Sequence, residues 1–347
     1  MRKMIVLVSV LVLGNLGAAK AEVAAAVPDR VLRNAPVFIG RRDQIRNPAT
    51  DRILGLGYSL TETESGTEKI RYTTFFSDED SAESTVGTDH QMAEYGRRLD
   101  VEWSYEIELD SRTGEVKGRT YQCDFLLGIG HRTCKFKGKY YANSDRPILY
   151  DNARHNIFGD RPKFPYGDAH GPLTVIDPSF EIPFPESRDM IPLQKPEWMR
   201  TSDEEIAREG RLSLPSTEYV YLRVRGVLEG HVHLSISIRD GRSFTNGITD
   251  QNSLQKLGAD LWGQESVVAI PVPADIRFAL KNGLEGFGLG EDSTKRFAKK
   301  TSELTLTDIG LYVLDRAEDG RYVTTDLSAK VHCTDPQRIG TCSVNER

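Results

Sequence analysis

The chain has 347 residues, 28% of them charged, and a formal net charge of -6 at pH 7. That length holds two modest domains or one large β domain. The acidic balance argues against a dedicated nucleic-acid binder, whose footprint would be a basic face, so no nucleic-acid partner is expected.

The first residues carry a targeting pattern. Arg2-Lys3 is a charged start, Met4 to Leu13 is apolar, and Ala19-Lys20-Ala21 has the small-x-small form of a cleavage site. This reads as a secretory signal peptide over residues 1–21, cut near Ala21. Its apolar core is shorter than the roughly 20 residues a spanning helix needs. No later segment is apolar enough to span a bilayer, so the expected location of the mature chain is the periplasm or the exterior. The four cysteines fit an oxidising compartment, and proximity pairs them as Cys123–Cys134 and Cys333–Cys342.

In chain order, Arg52 to Leu60 and Lys69 to Phe76 read as a strand hairpin. Asp89 to Arg98 holds about two helical turns, ended by Gly96. Leu99 to Leu109 alternates strictly: odd positions are apolar or aromatic, and even ones are polar and mostly acidic. It is the clearest half-buried strand in the chain, and it returns through Gly114 along Glu115 to Cys123. Pro147 to Tyr150 is a short strand.

Between Arg161 and Met199 lie eight prolines, which exclude long helices and central strands. The aromatic and aliphatic residues among them point to an ordered extended segment rather than a free tether. A short helix is expected over Thr201 to Glu209, with Ser202 and Glu205 as its capping box. Tyr219 to Val227 and His231 to Ile238 read as a hairpin around Gly230. Further short strands follow to the terminal cysteine pair. The fold class is therefore expected to be mainly β: two antiparallel sheet units, β-sandwich or jelly-roll-like, joined by an ordered proline-rich segment. The corresponding division is an N-terminal β-rich domain at 22–160, a connector at 161–210 and a C-terminal β-sandwich domain at 211–347.

Chemistry-bearing residues concentrate in the first unit. Asp100 and Glu102 share one strand face, about 6.6 Å apart by strand rise. Carboxyl pairs at that order of spacing serve glycoside hydrolysis, although Glu106 and Glu108 continue the same row as a solvated face would. His131 lies between the two cysteines of a bridged loop. His155 and Asn156 follow a strand, with Asp160 beyond them. Asp100, Glu102, His131 and His155 are the catalytic set of an enzyme reading. The histidines equally suit turn capping.

Tyr219 and Tyr221 share a face with Arg223 and Arg225. With Trp262, Asn156 and Asp160, they are the ligand-binding set of a carbohydrate reading, in which rings stack a sugar and polar groups hold its hydroxyls. The competing reading packs the same tyrosines against the proline-rich segment. Asp78 and Asp80 in one acidic loop, and Asp250 and Asn252 in a glycine-rich one, offer oxygen ligands for calcium. No other cofactor is indicated, and the dinucleotide and phosphate-loop patterns are missing.

Asp100-Val101-Glu102-Trp103, followed by Arg146-Pro147-Ile148-Leu149-Tyr150 and His155-Asn156, resembles the vacuolar-protein-sorting-associated 62-like domain over residues 72–160. It resembles uncharacterised secreted bacterial proteins as well. Arg146 stands where that family has a histidine, and His155 and Asn156 are adjacent rather than spaced. The resemblance implies a β-rich domain and no particular reaction.

The leading functional expectation is an exported protein that binds carbohydrate or a cell-envelope glycan without a chemical step. The alternatives are a glycan hydrolase or lyase using the Asp, Glu and His residues of the first unit, and a structural or protein-interaction module. Oligomeric state is not legible.

Overall fold

A computed structural model gives the architecture. It describes residues 27–41, 52–63, 65–78, 91–124, 131–152, 157–161, 173–176, 182–183, 190–210, 213–229, 233–238, 240–246, 265–282, 287–292, 303–335, 337 and 339–344. The signal-peptide stretch, including Ala21, lies outside these residues.

A short helix, α1 (Asp29–Asn34), precedes the first sheet. That sheet has ten strands: β1 (Val37–Arg41), β2 (Ile53–Glu62), β3 (Thr67–Phe76), β4 (Asp100–Asp110), β5 (Val116–Asp124), β6 (His131–Lys135), β7 (Ile148–Asn152), β8 (Ile157–Gly159), β9 (Leu173–Ile176) and β10 (Ile182–Pro183). Their order is β10-β2-β3-β4-β5-β8-β7-β1-β9, with β6 paired on β5. The expected β2–β3 and β4–β5 hairpins are both present.

The connector holds α2 (Ile191–Gln194) and α3 (Pro196–Arg208). Beyond it lie β11 (Tyr219–Glu229), β12 (His233–Ile238), β13 (Ser243–Thr245), β14 (Glu265–Pro271), helix α4 (Ala274–Lys281), β15 (Phe287–Asp292), β16 (Glu303–Arg316), β17 (Tyr322–Asp326), β18 (Val331–Cys333) and β19 (Cys342–Val344). They build a four-stranded sheet, β14-β11-β16-β17, and a five-stranded one, β13-β12-β15-β19-β18.

This corrects the expected fold class of two antiparallel sheet units. The described residues form a mixed α/β fold with three sheets and four α-helices. Three pairings in the first sheet are parallel: β1 with β7, β5 with β8 and β10 with β2. The proline-rich stretch donates β9 and β10 to that sheet rather than only bridging two units. α3 starts five residues before its expected start because Pro196 occupies its first turn, where a missing N–H costs nothing. Ser202, expected as the cap, is fully buried inside that helix.

The expected hairpin around Gly230 is not formed either. β11 is flanked on both sides by β14 and β16, whereas β12 pairs with β13 and β15. β11 and β12 each present an aliphatic face that needs a cover. Placing them in different sheets lets Val220, Leu222 and Val224 meet Leu234 and Ile236 across a shared core, which Ile276 and Leu280 of α4 complete.

The alternation of β4 conceals a switch of face. Its register against β3 passes from Tyr72↔Tyr105 to Thr73↔Trp103, leaving Ser104 as an extra residue. Such a bulge reverses which side chains face which way. Tyr105, Ile107 and Leu109 therefore join Ile70 and Tyr72 in the core of the first sheet. Val101, of the same parity in sequence, joins Phe75 and Leu99 in another core. That middle core also takes Trp198 and Met199 from α3, and Tyr219, Tyr221, Val267 and Tyr312 from the four-stranded sheet.

Both expected disulfides are present. Cys123–Cys134 ties β5 to β6, and Cys333–Cys342 ties β18 to β19.

Candidate acid–base site

Buried polar residues gather where β3 ends and β4 begins. Thr73, Thr74, Ser77, Asp78, Arg97, Arg98, Asp100 and Ser104 are all buried, as is Gln122 near the end of β5. The pairing sets Thr74 opposite Glu102 and Phe76 opposite Asp100. The hydroxyls of Thr73 and Thr74 and the amide oxygen of Gln122 are withdrawn from solvent without a hydrogen bond. Buried polar atoms of this kind are uncommon. Of the two hydroxyls, that of Thr74 lies on the sheet face of Glu102 and that of Thr73 on the other.

Within the cluster three side chains converge. The Gln122 amide nitrogen donates to Glu102 Oε2 at 2.5 Å and also contacts His131 Nδ1. His131 Nδ1 is 3.5 Å from the same carboxylate oxygen. The carboxylate fixes the amide, because the opposite orientation would set two oxygens against each other. With an amide N–H directed at Nδ1, that nitrogen accepts, and the neutral ring carries its proton on Nε2. The His131 side chain is 51% exposed and Gln122 is 2% exposed, so the ring reaches solvent from a buried anchor. Cys123–Cys134 and the β5–β6 pairing, which sets Asp124 opposite His131, hold the anchor in register.

The expected acidic row does not run along one face: the bulge at Ser104 turns Glu106 and Glu108 to the side opposite Asp100 and Glu102. Glu106 pairs with Arg71 at 2.7 Å and Lys69 at 3.6 Å, and Glu108 accepts from the Thr67 hydroxyl. Arg71 also lies over Trp103, 5.2 Å from the ring centre. Among the described residues, the carboxylate of these four set beside an imidazole is Glu102.

Of the catalytic set, the structure brings Glu102 and His131 together and buries Asp100 two residues away on β4; His155 lies outside the described residues. Gln122, Thr73 and Thr74 were not singled out in the sequence. Gln122 had one signal: it is a polar residue between Tyr121 and Cys123 in a strand, both of which turn into the core.

The carbohydrate set does not assemble. Tyr221 is 0% exposed, and its hydroxyl donates to the Ser216 carbonyl at 2.7 Å. Tyr219 is buried beside it, under α3 and the start of β4. The stacking face expected from these tyrosines is thus the inside of the middle core. Arg223 is held by Glu265 and Asp308, and Arg225 by Glu265. Asp160 accepts the Lys137 N–H at 3.1 Å and lies 3.8 Å from Arg161. Asn156 and Trp262 lie outside the described residues.

Asp78 is buried, while Asp80, Asp250 and Asn252 lie outside the described residues. Among the described residues no group of three His, Cys, Asp or Glu side chains is arranged to hold a metal ion. No helix among them is long and apolar enough to cross a membrane.

Comparisons of the chain with protein-family models, with curated proteins and with solved structures return no match.

Proposed function

We propose that this chain is an exported enzyme that cleaves a glycan by general acid–base chemistry, as a hydrolase or a lyase. The observation that carries the reading is the Glu102–Gln122–His131 contact, beside which the Gln122 amide oxygen and the Thr74 hydroxyl are buried without a hydrogen bond. His131 acts as the acid in its imidazolium form, whose Nδ1–H faces Glu102 Oε2 at 3.5 Å. It gives its Nε2 proton to the leaving oxygen and is left neutral. A proton taken from the attacking water (hydrolase) or from the sugar carbon (lyase) returns it to the imidazolium. Asp100 supplies a second carboxylate on the same strand. A glycan substrate rests on the expected export and on the polar character of the site. The burial of Tyr219 and Tyr221 supports this reading over simple sugar binding on the second unit.

The test uses the intact chain with purified envelope glycans and polyuronates, following new reducing ends together with the ultraviolet absorbance of an unsaturated sugar. Reducing ends alone identify a hydrolase; both signals identify a lyase. Glu102→Gln and His131→Ala are each expected to lower the rate by about 10²-fold or more with unchanged thermal midpoints. Release of reducing ends at wild-type rate by both variants overturns the assignment, as does the lack of any product from the wild type.

A further inference from the structure

The opposite end of the first sheet carries a separate cleft. The β2–β3 turn after Glu62 and the β4–β5 turn after Asp110 meet α1 there, around a volume of about 550 Å³. An adjoining recess of about 430 Å³ shares Arg33 and Asp145 with it, so the depression is elongated. Sites of this size hold small organic ligands.

The charges lining the cleft differ in what holds them. Arg30 is neutralised within the protein by a two-point contact with Glu68, at 2.7 Å for each bond. Arg33, Arg119, Glu62 and Asp145 make no ion pair among the described residues. Arg119 stacks its guanidinium over Tyr140 at 5.4 Å, and its Nε is buried without a hydrogen bond. Asp110, a further carboxylate of the lining, is engaged by its own turn, accepting from the Arg112 and Thr113 backbone N–H groups and the Thr113 hydroxyl. Two cations and two other anions thus face one space, yet the fold keeps them from pairing with each other. Any ligand carrying one sign alone would meet like charge on entering. A molecule with a cation at one end and a carboxylate at the other would satisfy both groups.

We propose that this cleft binds a short peptide with free termini, its carboxylate taken by Arg33 and Arg119 and its ammonium by Glu62 and Asp145. The elongated form favours two or three residues over a single amino acid. This binding site is independent of the acid–base chemistry assigned to the other end of the sheet.

Titration calorimetry of the intact chain with trialanine, N-acetyl-trialanine and trialanine amide tests the proposal. Trialanine is expected to bind, and each blocked peptide to bind about tenfold more weakly or worse. Arg119→Gln is expected to weaken trialanine and to erase its advantage over the amide. Arg33→Ala, at an exposed position, repeats that test without disturbing the packing around Tyr140. Equal affinity for the three peptides, no heat with trialanine at millimolar concentration, or wild-type binding by both variants overturns the proposal.

Discussion

Arg98 and Asp203 form an ion pair whose side chains are only 1% and 8% exposed. Arg98 follows the helical turn that precedes β4, and Asp203 sits on α3. Asp203 also accepts from the Ser216 backbone N–H, the Ser216 hydroxyl and the Tyr322 hydroxyl, each at 2.8 Å. Arg98 donates in addition to Ser213 at 2.8 Å. One carboxylate on α3 therefore collects donors from the segment leading into β4, the segment leading into β11, and β17 of the four-stranded sheet.

Removing the cation strands that carboxylate in a buried setting. Arg98→Met is expected to cost about 3–5 kcal/mol of stability, because the remaining charge keeps its desolvation penalty and loses its partner. Urea unfolding monitored by both circular dichroism and tryptophan fluorescence reads this. A loss below about 1 kcal/mol would show that Arg98 is dispensable.

Gly96 makes a second junction. Its φ is +62°, and a Cβ built there would lie 2.5 Å from Val267 Cγ1 on β14. Gly96→Ala must both strain the backbone and push the second half of the chain away. A loss of about 1–3 kcal/mol is expected, read as a lowered thermal midpoint. An unchanged midpoint would mean that the two halves do not meet at this glycine.

The β2–β3 and β4–β5 hairpins, the turn at Gly114 and the two disulfides were legible from pattern and proximity, since each depends on residues close in sequence. The same pattern failed for the hairpin expected around Gly230. Periodicity reports that a side chain alternates between two environments, and says nothing of what fills them. Tyr219 and Tyr221 alternate with Val220 and Leu222 as an exposed face would, yet α3 and β4 cover them. The bulge at Ser104 left no sequence mark, because polar residues stand on both sides of Trp103. Glu102 and His131 were nameable as chemistry-bearing residues, but their meeting depends on Gln122 and on the β5–β6 register.

That register rests partly on a covalent link. Replacing both Cys123 and Cys134 by Ala is expected to lower stability by roughly 2–4 kcal/mol in the chain-entropy picture. It should also release His131 from Gln122. Nitrogen-15 NMR of the imidazole gives the second readout: the wild-type ring should be the Nε2–H tautomer, and the double variant a mixture. Identical tautomer populations in the two proteins would separate the bridge from the site.

Alkaline pH probes the cores directly. Burial pushes the Tyr121 hydroxyl up to about 12, and raises Tyr72, Tyr105, Tyr221 and Tyr322 as well. A raised tyrosine pKa means that the folded state holds a proton the unfolded state has released. The associated stability is complete below about pH 10, the unfolded value, and is lost as pH rises from there through the folded values. Urea midpoints should fall steadily above about pH 10, while tyrosinate absorbance of the folded protein lags behind that of the unfolded chain. A flat midpoint through this range would contradict the burial of these hydroxyls.

The middle core draws Phe75, Leu99 and Val101 from early in the chain and Tyr312, Leu314 and Tyr322 from near its end. A chain that emerges with its N-terminus first can therefore form the β2–β3 and β4–β5 hairpins long before their second apolar face has a cover. During most of its synthesis the nascent protein carries that face open, which is the condition that recruits chaperones and promotes aggregation. A stop anywhere between Tyr219 and Tyr322 strips part of that cover, so a truncation far from the first sheet in sequence still exposes its second face.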